Sequence, residues 1–304
     1  MSVQFILLAV LAVLTAIYLV FFIMDLIKHK ENFEKKTNFI AMSIIGFIIN
    51  FFDVFGIGSF ATGTALMKAL KQTDDRLIPG TLNVCFCVPV AIESFLFING
   101  VEVEPLTLAL MIIAAVIGAY LGAGVVSKLP TKMIRLLMGT ALLAVGLVIA
   151  IQIMGLMPST GEATGLHGVK LVIGVVVNFI LGALMTAGVG MYAPCMALVC
   201  LLGMNPIIAF PIMMGSSAYL MPVASLKFIK EGAYNRKASF AIAFFGIFGV
   251  IVGYRFIKML NLDALKFIIV IVMAYSALSL YYSAYKDSKK EKTSVRLNKD
   301  TAKI

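Results

Sequence analysis

One stretch of this chain is written twice. Gly56-Ile57-Gly58-Ser59-Phe60-Ala61-Thr62 recurs 132 positions later as Gly188-Val189-Gly190-Met191-Tyr192-Ala193-Pro194. The register then holds: Pro79 falls on Pro211 and Gly100 on Gly232. After a one-residue slip, Gly118 and Gly122 fall on Gly249 and Gly253. A duplicated half with a glycine break at the same place in each copy leaves few folds open. Built from apolar residues, it is the pattern of a secondary transporter made of internal repeats.

Composition supplies the second condition. The chain is 61% hydrophobic and 13% charged, with a mean hydropathy of +1.03, far from a soluble average. Nine apolar segments, 2–27, 38–70, 77–98, 106–127, 131–156, 169–203, 207–226, 238–257 and 265–285, place it in a bilayer. A membrane-crossing helix needs about 20 such residues. Met1-Ser2-Val3-Gln4 carries no positive side chain and the run to Met24 is long, so 1–27 reads as a retained spanning helix rather than a leader. The net charge of +10 lies in short loops and the tail, which points to membrane orientation, not nucleic acid.

Segments 38–70 and 169–203 have the wrong length. As single helices each would run about 50 Å, against a hydrocarbon core of about 30 Å; as two crossings each is too short. Both break at Gly-x-Gly near the middle, which predicts re-entrant hairpins of two half-helices. The basic residues agree. With the N-terminus outside and both segments re-entrant, the stretches 28–37, 68–76, 128–135, 227–237 and 286–304 are cytoplasmic and hold 21 of the 25 Lys and Arg. Each repeat then has one hairpin and three crossings, an odd number, so the second copy is inverted. Gly118-x-x-x-Gly122 and Gly249-x-x-x-Gly253 read as close helix packing.

Chemistry concentrates at the breaks. A half-helix starting near Gly58 offers free amides and the positive end of its dipole, to which Gly56, Ser59 and Thr62 belong. Gly188, Gly190, Met191 and Tyr192 form the matching start, with Pro194 in its first turn and Cys195 beside it. The functional reading is an anion held between two helix starts; the plain one is two kinked, capped helices. Asp53 is the one acid expected deep in the membrane, as a proton carrier or as a cap on a neighbouring helix. Glu93 reads as interfacial. Asn83, Ser216 and Ser217, near the starts of the helices after the hairpins, line a cavity or bond to a carbonyl one turn back. Neither the cysteines nor the two histidines show a metal or catalytic pattern, so no enzyme activity and no cofactor is expected.

These glycine-broken halves resemble the TauE/SafE (TSUP) family of sulfite exporters over roughly 38–285. That family carries Gly-x-Gly-Gly-Gly and a following Pro in each half. Here the second half keeps Gly188, Gly190 and Pro194, while the first keeps Gly56 and Gly58 and has Thr62 in place of Pro. The resemblance implies a multi-pass plasma (inner) membrane transporter of small sulfur-containing anions, driven by the proton gradient. The expectation is an all-α polytopic protein of about seven spanning helices and two hairpins. Its parts are 1–37 (helix and basic loop), 38–156 and 157–285 (the repeats) and 286–304 (basic cytoplasmic tail). Its partners are a small anionic substrate and the bilayer, with no nucleic acid; a homo-oligomer is compatible. The rivals are a non-transporting assembly or anchoring subunit and an anion channel.

Overall fold

The computed structural model describes residues 3–126, 161–186, 190–259 and 262–301, with a scattered set between 132 and 154. Ten α-helices lie among the described residues. They are α1 (Val3–Lys28), α2 (Phe39–Asp53), α3 (Ser59–Ala69), α4 (Ile78–Gly100), α5 (Pro105–Val126), α6 (Gly168–Thr186), α7 (Tyr192–Leu201), α8 (Ala209–Glu231), α9 (Arg236–Met259) and α10 (Leu262–Thr301). The protein is all-α and polytopic. Five helices are long and apolar enough to cross a membrane: α1, α4, α8 with its preceding turn, α9 and Gly168–Met185 of α6. The predicted crossing over 131–156 falls largely outside the described residues. At its C-terminal end α10 runs on as helix through 286–301.

The outer surface is apolar, as lipid requires. On α2 the exposed stripe Ile40, Ile44, Ile48 and Phe52 backs onto a buried stripe of Met42, Ile45 and Ile49, the spacing of one helix face against another. The most buried helices are the central pair α4 and α8, 23 residues each. Each is entered through a 3-10 turn, Asp75–Leu77 and Pro206–Ile208, at matching places in the two halves.

Both broken segments return to the face they entered. Thr37, just before α2, donates its hydroxyl to Gln72 O at 2.9 Å, and the Asn38 amide donates to Gln72 Oε1 at 2.7 Å. The start of the first hairpin is thus tied to its end. In the second, the Asn205 amide after α7 donates to Ala163 O before α6 at 3.1 Å, beside a bridge between Ala163 and Met204. The two bases lie at opposite ends of α4. Asn235, whose side chain donates to Thr37 and Thr73 of the first base, also donates its amide to Thr81 near the start of α4. Glu104, just past the end of α4, donates its amide to Thr164 of the second base at 2.9 Å. A 23-residue helix spans about 34 Å, so the hairpins enter from opposite sides and the repeats are inverted. The two arms of each hairpin are unequal. The incoming arms have 15 and 19 residues and the returning ones 11 and 10, so each break sits past the midpoint of its segment.

Inversion makes contacts come in exchanged pairs. α2 packs along α9 and α5 along α6. A Cβ on Gly249 would lie 2.3 Å from Phe47 O, and one on Gly118 would lie 1.9 Å from Phe179 O. Phe47 and Phe179 are 132 positions apart, so these are one contact made twice. No side chain fits at either glycine, and the close-packing reading of both holds. α1 stands outside the repeats: Tyr18 donates to Val84 O on α4 at 2.7 Å, and Tyr219 on α8 donates to Leu7 O.

Candidate functional site

The first hairpin turns at its glycines. Gly56 and Gly58 have φ of +89° and +87°, in the left-handed region that side chains avoid, and α3 begins at Ser59. In the second hairpin α7 begins at Tyr192, and no side chain caps it at Met191. The two starts meet. A Cβ on Gly58 would lie 3.9 Å from Tyr192 Cβ, and one on Gly190 would lie 3.8 Å from Phe60 Cβ. Replacing each residue by its equivalent 132 positions away turns either pair into the other, so the local two-fold axis passes between the tips. Opposed helix starts bring free amides and two dipole ends to one point.

A cavity of about 10 Å³ lies at this junction, lined by Gly58, Ser59, Phe60, Val90, Met185, Gly190, Met191, Tyr192 and Met221. That is room for about one water molecule. On the other side of the tips, Gly58, Gly190, Tyr192 and Pro194 face Tyr275, Ser276 and Ser279 of α10 across about 60 Å³. Sequence reasoning passed over these α10 hydroxyls, because they lie beyond the duplicated motif and carry no pattern of their own.

Two carboxylates stand behind the tips. Asp53, 1% exposed, ends α2 and faces the Ser59 hydroxyl and the Gly58 and Ser59 amides at the start of α3. None of these approaches completes a hydrogen bond to its oxygens. Glu93 on α4 is fully buried and accepts from the Tyr192 hydroxyl at 3.0 Å. The interfacial placement expected for Glu93 is therefore wrong. The tip tyrosine of the opposite repeat, 99 residues on, draws it inward, and no signal local to α4 announces this.

Of the predicted site residues, Gly58, Ser59, Gly190, Met191 and Tyr192 converge on the tip cavity, with Asp53 beside it. Gly56 lies next to them, packed against Met196 and Met213. Ser217 reaches Met185 at 3.6 Å, just behind the cavity. Thr62 spends its hydroxyl on Gly58 O and Ser59 O of its own helix. Asn83 bonds back to Pro79 O at 2.9 Å and lines a separate space with Tyr120 and Lys227. Ser216 accepts from Asn178 at 3.0 Å on α6, away from the tips. Cys195 is buried in α7 outside both cavities. Gly188 lies outside the described residues.

A sequence model described as sulfite exporter TauE/SafE matches residues 1–149 and 170–302, nearly the whole chain. The protein belongs to the TauE/SafE family. No curated protein and no solved structure gave a significant match. Membership of TauE/SafE makes this a multi-pass protein of a transporter family, and the match takes in α1 and the whole of α10 as well as most of the repeats.

Proposed function

We propose that this TauE/SafE protein carries a small sulfur-containing anion, such as sulfite or a sulfonate, across the plasma (inner) membrane by alternating access, and that a proton accompanies it. One observation carries the reading: the starts of α3 and α7 meet as an exchanged pair at Gly58–Tyr192 and Gly190–Phe60. Half-helix starts pointed at one another near the membrane centre suit an anion from either side. The tip cavity is smaller than such an ion, so loading requires the hairpins to part. Rocking one repeat against the other around the axis between the tips does this without unfolding either. The N-terminus is outside and the C-terminal tail cytoplasmic, from the placement of basic residues.

The Asp53 carboxylate already sits at the start of α3, where the anion belongs. Two negative charges at one buried helix start repel strongly at low dielectric, so a proton on Asp53 lets the anion in. The direction of net flow then follows the two gradients. The test is sulfite and sulfonate flux in proteoliposomes. Saturable flux that Gly58→Leu and Gly190→Leu abolish, while both variants insert and purify normally, supports the reading. Parent-like flux in both removes the tips from the site. Flux that rises without saturation favours a channel.

A further inference from the structure

Tyr192 is the residue that both cavities share with the buried carboxylate. It opens α7, lines the space on each side of the tips, and donates its hydroxyl to Glu93 Oε2 at 3.0 Å. The other carboxylate oxygen, Oε1, is buried with no partner. The titratable groups that act on Glu93 are Asp53 from α2 and Tyr192 from α7. From the other helices packed on α4, Tyr254 of α9 is committed to Leu96 O at 3.0 Å, Tyr219 of α8 to Leu7 O, and Tyr18 of α1 to Val84 O. No Lys, Arg or His among the described residues faces the carboxylate.

A phenol has a single proton to donate. Tyr192 can give it to Glu93 or to an oxygen of an anion at the tips, and not to both. Once the hydroxyl turns to the anion, Glu93 is left without a donor in a site closed to water. A buried carboxylate in that position is far costlier charged than neutral.

We propose that Glu93 is a second proton-binding site, tied to anion occupancy through the Tyr192 hydroxyl. Anion binding withdraws that hydrogen bond, and Glu93 takes one proton from water. Release of the anion returns the hydroxyl and expels the proton. This proton adds to the one on Asp53, and by reciprocity a proton on Glu93 tightens anion binding. The inference rests on the anion-transport reading above and adds to it the residue that couples proton to substrate. The two repeats contribute one partner each: the acid comes from the first and the phenol from the second.

The experiment measures protons taken up per anion bound. Purified protein in weakly buffered detergent solution receives methanesulfonate, which stays ionised throughout and so contributes no proton of its own. A pH-indicator dye reads the uptake, and equilibrium dialysis reads the binding. The parent takes up protons. Glu93→Gln still binds the anion, with uptake lower by about one proton per anion. Tyr192→Phe shows the same drop although its carboxylate remains, because Glu93 there has no donor to lose. Parent-like uptake in either variant overturns the inference while leaving the transport reading intact. Absence of binding by the parent, with methanesulfonate and sulfite alike, overturns both.

Discussion

Arg236, the first residue of α9, grips Asp25 near the end of α1 at two points, Nε to Oδ2 at 2.7 Å and Nη2 to Oδ1 at 3.3 Å. Tyr234 donates to the same carboxylate at 2.5 Å, and Glu34 accepts from the Arg236 and Lys237 amides at 2.9 and 3.0 Å. This fastens the helix outside the repeats to the start of α9 in the second repeat. Arg236→Gln should cost about 1.5–3 kcal/mol, the range for a hydrogen bond to a charged group. It should lower the thermal midpoint in detergent without touching anion binding. An unchanged midpoint would mean that this ion pair does not help to hold α1.

Helix spacing gives a graded series. Gly118→Ala and Gly249→Ala each force a methyl into a backbone carbonyl of the facing helix and should destabilise by about 1–3 kcal/mol. Gly190→Ala meets only Phe60 Cβ at 3.8 Å and should be nearly silent. Thermal melts of the three variants check the order. A Gly118→Ala melt equal to the parent's would contradict the close approach of α5 and α6.

The re-entrant path has a direct topological consequence. Lys36 lies just before α2 and Lys71 just after α3, with the hydrogen bonds of Thr37 and Asn38 to Gln72 between them. Single cysteines placed at the two positions in a cysteine-free background should react with an impermeant maleimide from the same side of sealed vesicles. Labelling from opposite sides would show that 38–70 crosses the membrane.

Asp53→Asn keeps the size of the side chain and removes its charge. Anion flux should persist and its response to an imposed pH gradient should weaken severalfold, because the helix start no longer needs a proton to be freed. Flux measured with and without a pH difference, at fixed membrane potential, decides it. Undiminished coupling would reduce Asp53 to a cap on α3.

What could be read from the residues alone was what depends on pattern. Segment length and the Gly-x-Gly breaks announced the hairpins, and the spacing of Gly118 and Gly249 announced close packing. These signals are local, or repeat at a fixed interval. Glu93 was misplaced because its burial depends on a hydroxyl 99 positions away. Asn83 and Ser216 were open between lining a cavity and bonding one turn back. Asn83 bonds back to Pro79 O and Ser216 accepts from Asn178, while Thr62, expected as a hydroxyl donor at the helix start, is bound to its own turn. Short polar side chains satisfy themselves within one turn whenever the backbone allows, and composition does not disclose that choice. Asn235 was silent for the same reason as Glu93. Its amide and side chain serve Thr81, Thr37, Thr73 and Ala238 at once, a role visible only when four distant segments are assembled.

The exchanged pair at the tips is an imperfect mirror. Where the first hairpin presents the phenyl ring of Phe60, the second presents a phenol at Tyr192. On the proposed alternating-access reading, a hydroxyl supplied by one half alone gives one orientation of an unloaded carrier a hydrogen bond that the other has to make differently, and weights the two unequally.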